Sequence, residues 1–194
     1  MSGKRKIIVY IATSADGFIA RLDGAVDWLN RPRPKDNYGI DDFYRSIDTV
    51  LWGRKTFEPL LKGGKWSAGY GPKAKHYIFS HHPPDAAVPG AEFVREPVEV
   101  FASRLRAQRG KHIWMMGGGG IIASFLDAGE IDEFMIHVIP IFIGEGIPLI
   151  AARHRTVRLQ LLSAKPFPDG VVCLHYAVAK PGAPPRKRVR PQRG

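Results

Sequence analysis

Four consecutive glycines, Gly117 to Gly120, separate a run of strand formers from a run of helix formers in the segment IWMMGGGGIIASFL. Glycine loses more backbone freedom on folding than any other residue, so four in a row cost more than tight packing alone repays. In return they give a backbone that another molecule can approach closely, with N–H groups gathered where a helix begins. Aligned amides and the helix dipole favour a pyrophosphate or a similar anion at such a point. The spacing is not the GxGxxG of the dinucleotide fingerprint, and the Lys-Ser/Thr ending of a P-loop is missing. The feature therefore specifies a strand-glycine-helix unit of a different kind.

The rest of the chain repeats the alternation. Residues 6–13 (KIIVYIAT), 49–52, 75–80, 112–116 and 133–139 read as strands, the first a continuous apolar run buried on both faces. Between them, residues 41–46, 55–61, 97–108 and 121–128 read as helices, with Pro59 either limiting the second or sitting in its first turn. In the third, Val100, Phe101 and Leu105 are expected to face inward and Arg104 and Arg106 outward. Residues 157–164 and 171–179 pair as a hairpin across 166–170. This order predicts an α/β, three-layer architecture: a mostly parallel central sheet covered on both faces, with an antiparallel C-terminal edge.

Residues 1–180 are expected to form one domain. The net charge of +11 includes six cations and no acid in residues 180–194, and removing them leaves +5 for the remainder. Residues 181–194, rich in Pro, Gly and Arg, read as a basic disordered tail, for which nucleic-acid binding is not the expected role. The apolar run at residues 7–12 is too short for a signal peptide, and no run reaches the eighteen apolar residues of a membrane span. A cytoplasmic location is expected, without membrane association. Cys173, the single cysteine, reads as a small buried hydrophobe. The adjacent His81 and His82 lack a carboxylate or thiolate at ligand spacing, so no metal site is expected.

Two further strand ends carry polar chemistry. In VLWGRKTF, Gly53 allows close approach, Arg54 and Lys55 add positive charge, and the Thr56 hydroxyl can hydrogen-bond an oxyanion. In YIFSHHP, Ser80 and His81 follow a strand directly. Together with the glycine unit, these place three ligand-ready strand ends on the carboxyl edge of one sheet, where open α/β sheets bind their ligands.

In order and spacing, Ser14-Ala15-Asp16-Gly17-Phe18-Ile19-Ala20, Gly53-Arg54-Lys55-Thr56, Ser80-His81 and Gly117-Gly118-Gly119 resemble the dihydrofolate reductase superfamily. The S-x-D-G element, residues 134–140 and Leu149 are most similar to its riboflavin-biosynthesis reductase branch, the RibD C-terminal domain. The resemblance implies that NADPH is the cofactor, with Arg54, Lys55, Ser80 and His81 around its 2′-phosphate. Thr56 and the amides of Gly119, Gly120, Ile121 and Ile122 would hold the pyrophosphate, Gly53 and Met116 would line the same site, and Ala12 and Ile19 would flank the nicotinamide. It also implies a cis Gly117-Gly118 bond, a homodimer involving residues 138–150 and the C-terminal hairpin, and reduction of a ribosylaminopyrimidine. Asp16 would then contact the substrate's ribose, or else cap the turn at Gly17. Trp28 and Phe57 either face the substrate or belong to the core.

Two departures stand out. Met116 occupies the place of the branch's usual Glu, and the deaminase domain often fused to that branch is not expected in this chain. A folate-type enzyme would instead need an acid near Asp41 or Asp42, and a third reading is a module that binds NADPH without turnover. No residue presents itself as the general acid; His137, on an apolar strand, reads as a hydrogen-bonded core histidine.

Overall fold

The computed structural model describes residues 5–67, 71 and 73–179. The segment 181–194, read above as a basic tail, lies outside the described residues. The chain opens with β1 (Ile7–Ser14) and a short β2 (Phe18–Ala20), then α1 (Ile40–Ser46), β3 (Ile47–Gly53) and α2 (Arg54–Lys62). Next come β4 (Lys75–Phe79), β5 (Ala91–Val94), α3 (Val98–Ala107), β6 (His112–Gly117) and α4 (Gly119–Asp127). It closes with β7 (Glu133–Ile139), β8 (Ile147–Pro148), β9 (Leu159–Pro166) and β10 (Val172–Val178).

Among the described residues, eight strands form one sheet in the order β5-β4-β3-β6-β1-β7-β10-β9. Pairings from β5 through β7 are parallel, and β7-β10 and β10-β9 are antiparallel. The expected architecture, with its antiparallel C-terminal edge, is the one observed. Strand alternation divides the apolar residues between two layers. Ile7, Val9, Leu51, Ile113 and Met115 pack on the side of Phe101 and Phe125 from α3 and α4. Ile8, Tyr10, Val50, Trp52 and Trp114 pack on the side of Phe43 and Phe57 from α1 and α2. Each large side chain so buried contributes roughly 1.5–3 kcal/mol. Among the described residues, no helix is long and apolar enough to cross a membrane.

Several local expectations change. Helix α2 runs through Pro59 to Lys62, so the proline neither ends it nor sits in its first turn. In α3, Val100 is exposed and Ala102 takes its place in the core. Arg106 is turned inward because carbonyls and carboxylates await it. Its guanidinium donates to the Arg5 carbonyl at 2.7 Å and the Glu130 carbonyl at 2.7 Å, and lies 2.8 Å from Asp132. Strand β5 and the β2-β8 pair are absent from the sequence reading because four, three and two residues are too few to show a period.

The amino edge of the sheet is tied by buried ionic groups. Arg5, 5% exposed, donates to the Lys111 carbonyl at 2.7 Å, the Leu105 carbonyl at 3.1 Å and Thr49 Oγ1 at 2.8 Å, and also pairs with Asp48. A buried charge is tolerable when its donors are satisfied in this way.

The buried His76 accepts a hydrogen bond at Nδ1 from Trp52 Nε1 at 3.1 Å, and burial pushes its pKa below the usual imidazole range. The unfolded ring takes up a proton below about pH 6.5, so this contribution is complete above that value and is lost as the pH falls below it. His76→Asn keeps an acceptor and cannot titrate. Scanning calorimetry from pH 7.5 to 5 is expected to show a shallower fall in Tm for the variant than for wild type.

Candidate functional site

A cleft of about 1700 Å³ follows the carboxyl edge of the parallel strands from β5 to β7. Its central wall is built where β6 passes into α4. The Gly117-Gly118 peptide bond is cis, and Gly118 caps α4 without any side-chain hydrogen bond. The first intrahelical bond runs from Ile122 N to the Gly118 carbonyl at 3.2 Å, so the N–H groups of Gly119, Gly120 and Ile121 precede it.

The glycines here serve different needs. A Cβ on Gly119 would overlap the Pro148 carbonyl oxygen, and the Gly119 carbonyl accepts from Ala151 N at 3.1 Å. A Cβ on Gly118 would come within 2.9 Å of Thr56 Oγ1, which places that hydroxyl beside the turn. Gly53 is pressed toward Ile121 Cγ2, with 3.2 Å left for a Cβ. A Cβ on Gly120 would meet nothing within 4 Å, so no contact within the chain requires glycine there.

Most residues expected around the cofactor line this cleft: Ala12 and Ile19 from β1 and β2, and Gly53, Arg54, Lys55 and Thr56 at the start of α2. Ser80 and His81 follow β4, and Met116, Gly118, Gly119, Gly120 and Ile121 complete the central wall. Arg54 Nη1 lies 2.7 Å from Glu58 Oε2, which shares its charge, whereas Lys55 is exposed. Ser80 is buried, and its Oγ accepts from His82 N at 3.1 Å. Sequence reasoning missed Arg95, which follows β5 and lines the same stretch; β5 was too short to reveal that a strand end lay there.

Other expected residues lie elsewhere. Ile122 is fully buried, its N–H is taken, and neither it nor Gly117 lines the cleft. Phe57 belongs to the core, its ring 4.7 Å from that of Trp66 and 6.2 Å from that of Trp52, because the first turn of α2 directs it onto the sheet. Trp28 packs with Ile139, Phe167 and Val171 and does not itself line the cleft. Asp16 is exposed and outside the lining; its carboxylate accepts from Gly144 N at 2.8 Å and Ile143 N at 3.1 Å. The Ser14 hydroxyl and these amides hold its pKa below the usual carboxylate range. In this position Asp16 fastens the turn after β1 to residues 143–144. The helix acids Asp41 and Asp42 do not line the cleft either.

The β1-β7 stretch of the cleft is aromatic and basic. Tyr10, Tyr38, Tyr44 and Trp114 line it, with Arg31 and Arg33. Arg31 Nη2 donates to the Asp169 carbonyl at 2.7 Å, and Tyr38 Oη donates to the Asp169 carboxylate. His137 also reaches the lining although it is 4% exposed. Its burial is that of the core histidine expected from the sequence, and its Nε2 has no hydrogen-bond partner among the described residues.

The chain matches the RibD C-terminal domain family over residues 5–173. It is 37% identical over 176 residues to the uncharacterised protein YwjB of Bacillus subtilis (strain 168), covering 91% of this chain and 99% of that one. A putative riboflavin biosynthesis protein from Shewanella sp. PV-4 superimposes with a TM-score of 0.78 at 24% identity, over 90% of this chain and 99% of that one. Dihydrofolate reductase from Enterococcus faecalis, solved with NADP(H), gives a TM-score of 0.65 at 15% identity, over 90% and 97%.

The unequal roles of the glycines are open to measurement. Gly119→Ala is expected to cost about 1–3 kcal/mol in urea denaturation, because backbone must shift to admit the methyl group. Gly120→Ala is expected to leave stability unchanged or raise it by up to about 1 kcal/mol.

Proposed function

We propose an activity for this chain, which belongs to the RibD C-terminal domain family: NADPH-dependent reduction of a small planar heterocycle of the ribosylaminopyrimidine type. The observation that carries this reading is the open first turn of α4. Three amides precede the first helical bond, and Gly120 is free of any contact that would explain it. A phosphate seated on those amides supplies the missing reason for glycine. The dinucleotide's pyrophosphate fits there, beside Thr56. Lys55, Arg95, Ser80 and His81 then surround the 2′-phosphate, with Arg54 adding the charge that Glu58 leaves it.

When bound, the cofactor supplies a hydride. The protein's part is to hold the nicotinamide near Ala12 and Ile19 and to keep water out. Tyr10, Tyr38 and Trp114 give this stretch an apolar, aromatic lining for a heterocycle, and Arg31 and Arg33 suit an anionic group on its substituent. Met116 contributes apolar surface and no proton. A folate-type reaction is less well supported, because the carboxylates lining the cleft are Asp23, exposed, and Glu96, paired with Arg104.

The reading extends to a homodimer. Leu159, Leu161 and Leu162 on β9 are exposed, as are Ile141 and Phe142, the latter by 76%. Patches of this kind in a stable protein are commonly covered by a partner.

Fluorescence titration is expected to show tighter binding of NADPH than of NADH. Lys55→Ala and Arg95→Ala should each reduce that preference about 5–10-fold, as loss of a charge-assisted contact does. Gly120→Ala should weaken both nucleotides without unfolding the protein. Binding of neither nucleotide to wild type would remove the reductase reading; tight binding with no oxidation on any pyrimidine or pterin would favour the non-catalytic module. Light scattering should give a dimer, and a monomer at micromolar concentration would remove that part.

A further inference from the structure

Asp127 breaks a local rule. It is the last residue of α4, where the carbonyl ends of the helix disfavour a carboxylate, and the last turn has no basic residue of its own. Its partners come instead from the segment after β8. Arg155 Nε donates to Asp127 Oδ1 at 2.6 Å and Nη2 to Oδ2 at 3.2 Å, while Arg153 Nη1 donates to Oδ2 at 2.6 Å. The two arginines differ in what else they hold. The Arg155 side chain is 16% exposed, and its Nη1 also donates to the Ala151 carbonyl at 3.0 Å. The Arg153 side chain is 52% exposed and, among the described residues, has Asp127 as its partner.

Ala151 joins this pair to the other end of α4. Its N–H donates to the Gly119 carbonyl at 3.1 Å, and Ala151 itself lines the cleft. The Gly119 carbonyl and the Gly120 N–H belong to one peptide unit, planar and trans, so they point in opposite directions. Bracing the carbonyl therefore aims the Gly120 amide, one of the three that precede the first helical bond. Three hydrogen bonds in series thus run from Asp127 through Arg155 and Ala151 to Gly119. Packing does not make this tether redundant. A cavity of about 340 Å³ lies beside residues 149–157, lined by Leu126 of α4, Phe134 and Ile136 of β7, and Leu149, Ile150 and Val157. Apolar side chains that face a void lose the contacts that would otherwise fix them.

We infer that Asp127 and Arg155 are positioning residues for the nucleotide-binding turn: by holding Ala151 against Gly119 they keep the Gly120 amide directed at the phosphate site. The inference rests on the reductase reading for the ligand that those amides receive. Neither Asp127 nor Arg155 lines the cleft. An effect of either on nucleotide affinity therefore passes through Ala151 and Gly119, or else through long-range attraction, which salt screens.

The full-length chain labelled with ¹⁵N provides the test. It is read by NADPH titration and, without nucleotide, by the backbone amide resonances of Gly119, Gly120 and Ile121. In Arg155→Ala those resonances should move and the Kd for NADPH should rise about 3–10-fold, as for residues coupled to a site they do not touch. The rise should persist at about 0.5 M salt, where attraction between distant charges is screened. Asp127→Asn should give a smaller loss in the same direction, and the double variant should lose no more than Arg155→Ala alone. Arg153→Ala, which removes the more exposed contact to the same carboxylate, should stay within about twofold of wild type. Arg155→Lys keeps the charge but cannot reach both partners at once; it should fall between wild type and Arg155→Ala, and it carries the test if the alanine variant fails to fold. Unmoved amides, an unchanged Kd in the folded variant, a loss that vanishes in salt, or an equal loss in Arg153→Ala overturns the inference. If those results come with NADPH bound by wild type, the positioning role falls and the reductase reading stands. If wild type binds no NADPH, the reductase reading falls, and the amide resonances by themselves uphold or overturn the hold of the pair on the turn.

Discussion

The contact between Gly119 and the chain at 148–151 organises much of the molecule. No side chain fits between the start of α4 and the Pro148 carbonyl, and the Gly119 carbonyl is bonded to Ala151 N. This fixes residues 147–151 against the helix. Through the β2-β8 pairing it also fixes the segment after β1, where Asp16 and the Leu149 N to Gly17 carbonyl bond at 3.1 Å add further ties. One steric requirement at one glycine therefore sets the position of the loop over the cleft, the open turn of α4 and the central wall between them.

The chemistry of the cleft changes along its length because successive strand ends deliver different residues. The ends of β4 and β5 bring the Ser80 hydroxyl, His81 and the Arg95 cation, the β3 end brings Gly53 with Arg54 and Lys55, the β6 end brings glycines and amides, and β1 and β7 bring Tyr10 and His137. A long ligand with an anionic end, a phosphate bridge and a planar head meets these in sequence. The fold supplies that order through its strand arrangement, which places chain-distant segments side by side at one edge.

Much of this was legible in the residues. Long β-branched runs gave the central strands, and the run GGGG marked the helix start correctly because glycine's peculiarities are local. The unread parts depended on facts that periodicity does not carry. A strand of four residues, such as β5, shows no period, and with it Arg95 stayed hidden. Alternation says that His137 is inside the protein but not that its edge meets a cavity. Phe57 and Trp28 were ambiguous because a ring next to a motif can turn either way, and the packing of three neighbouring layers decided it. Asp16 found its partners in residues 143–144, more than a hundred positions away, a pairing that no local pattern announces.

The buried arginines stand at the opposite edge from the cleft. Arg5 and Arg106 knit together the amino ends of β1, β3 and β6 with α3 and the approach to β7. The carboxyl edge is tied by other means, the backbone contact of Gly119 with residues 148–151 and the bonds of Tyr38 to Asp169 and of Asp16 to Gly144. Among descendants of such a chain, lineages can therefore drift in the residues that greet a ligand while the opposite rim holds the architecture constant. A fold divided in this way is free to diversify in chemistry without first acquiring stability to spare.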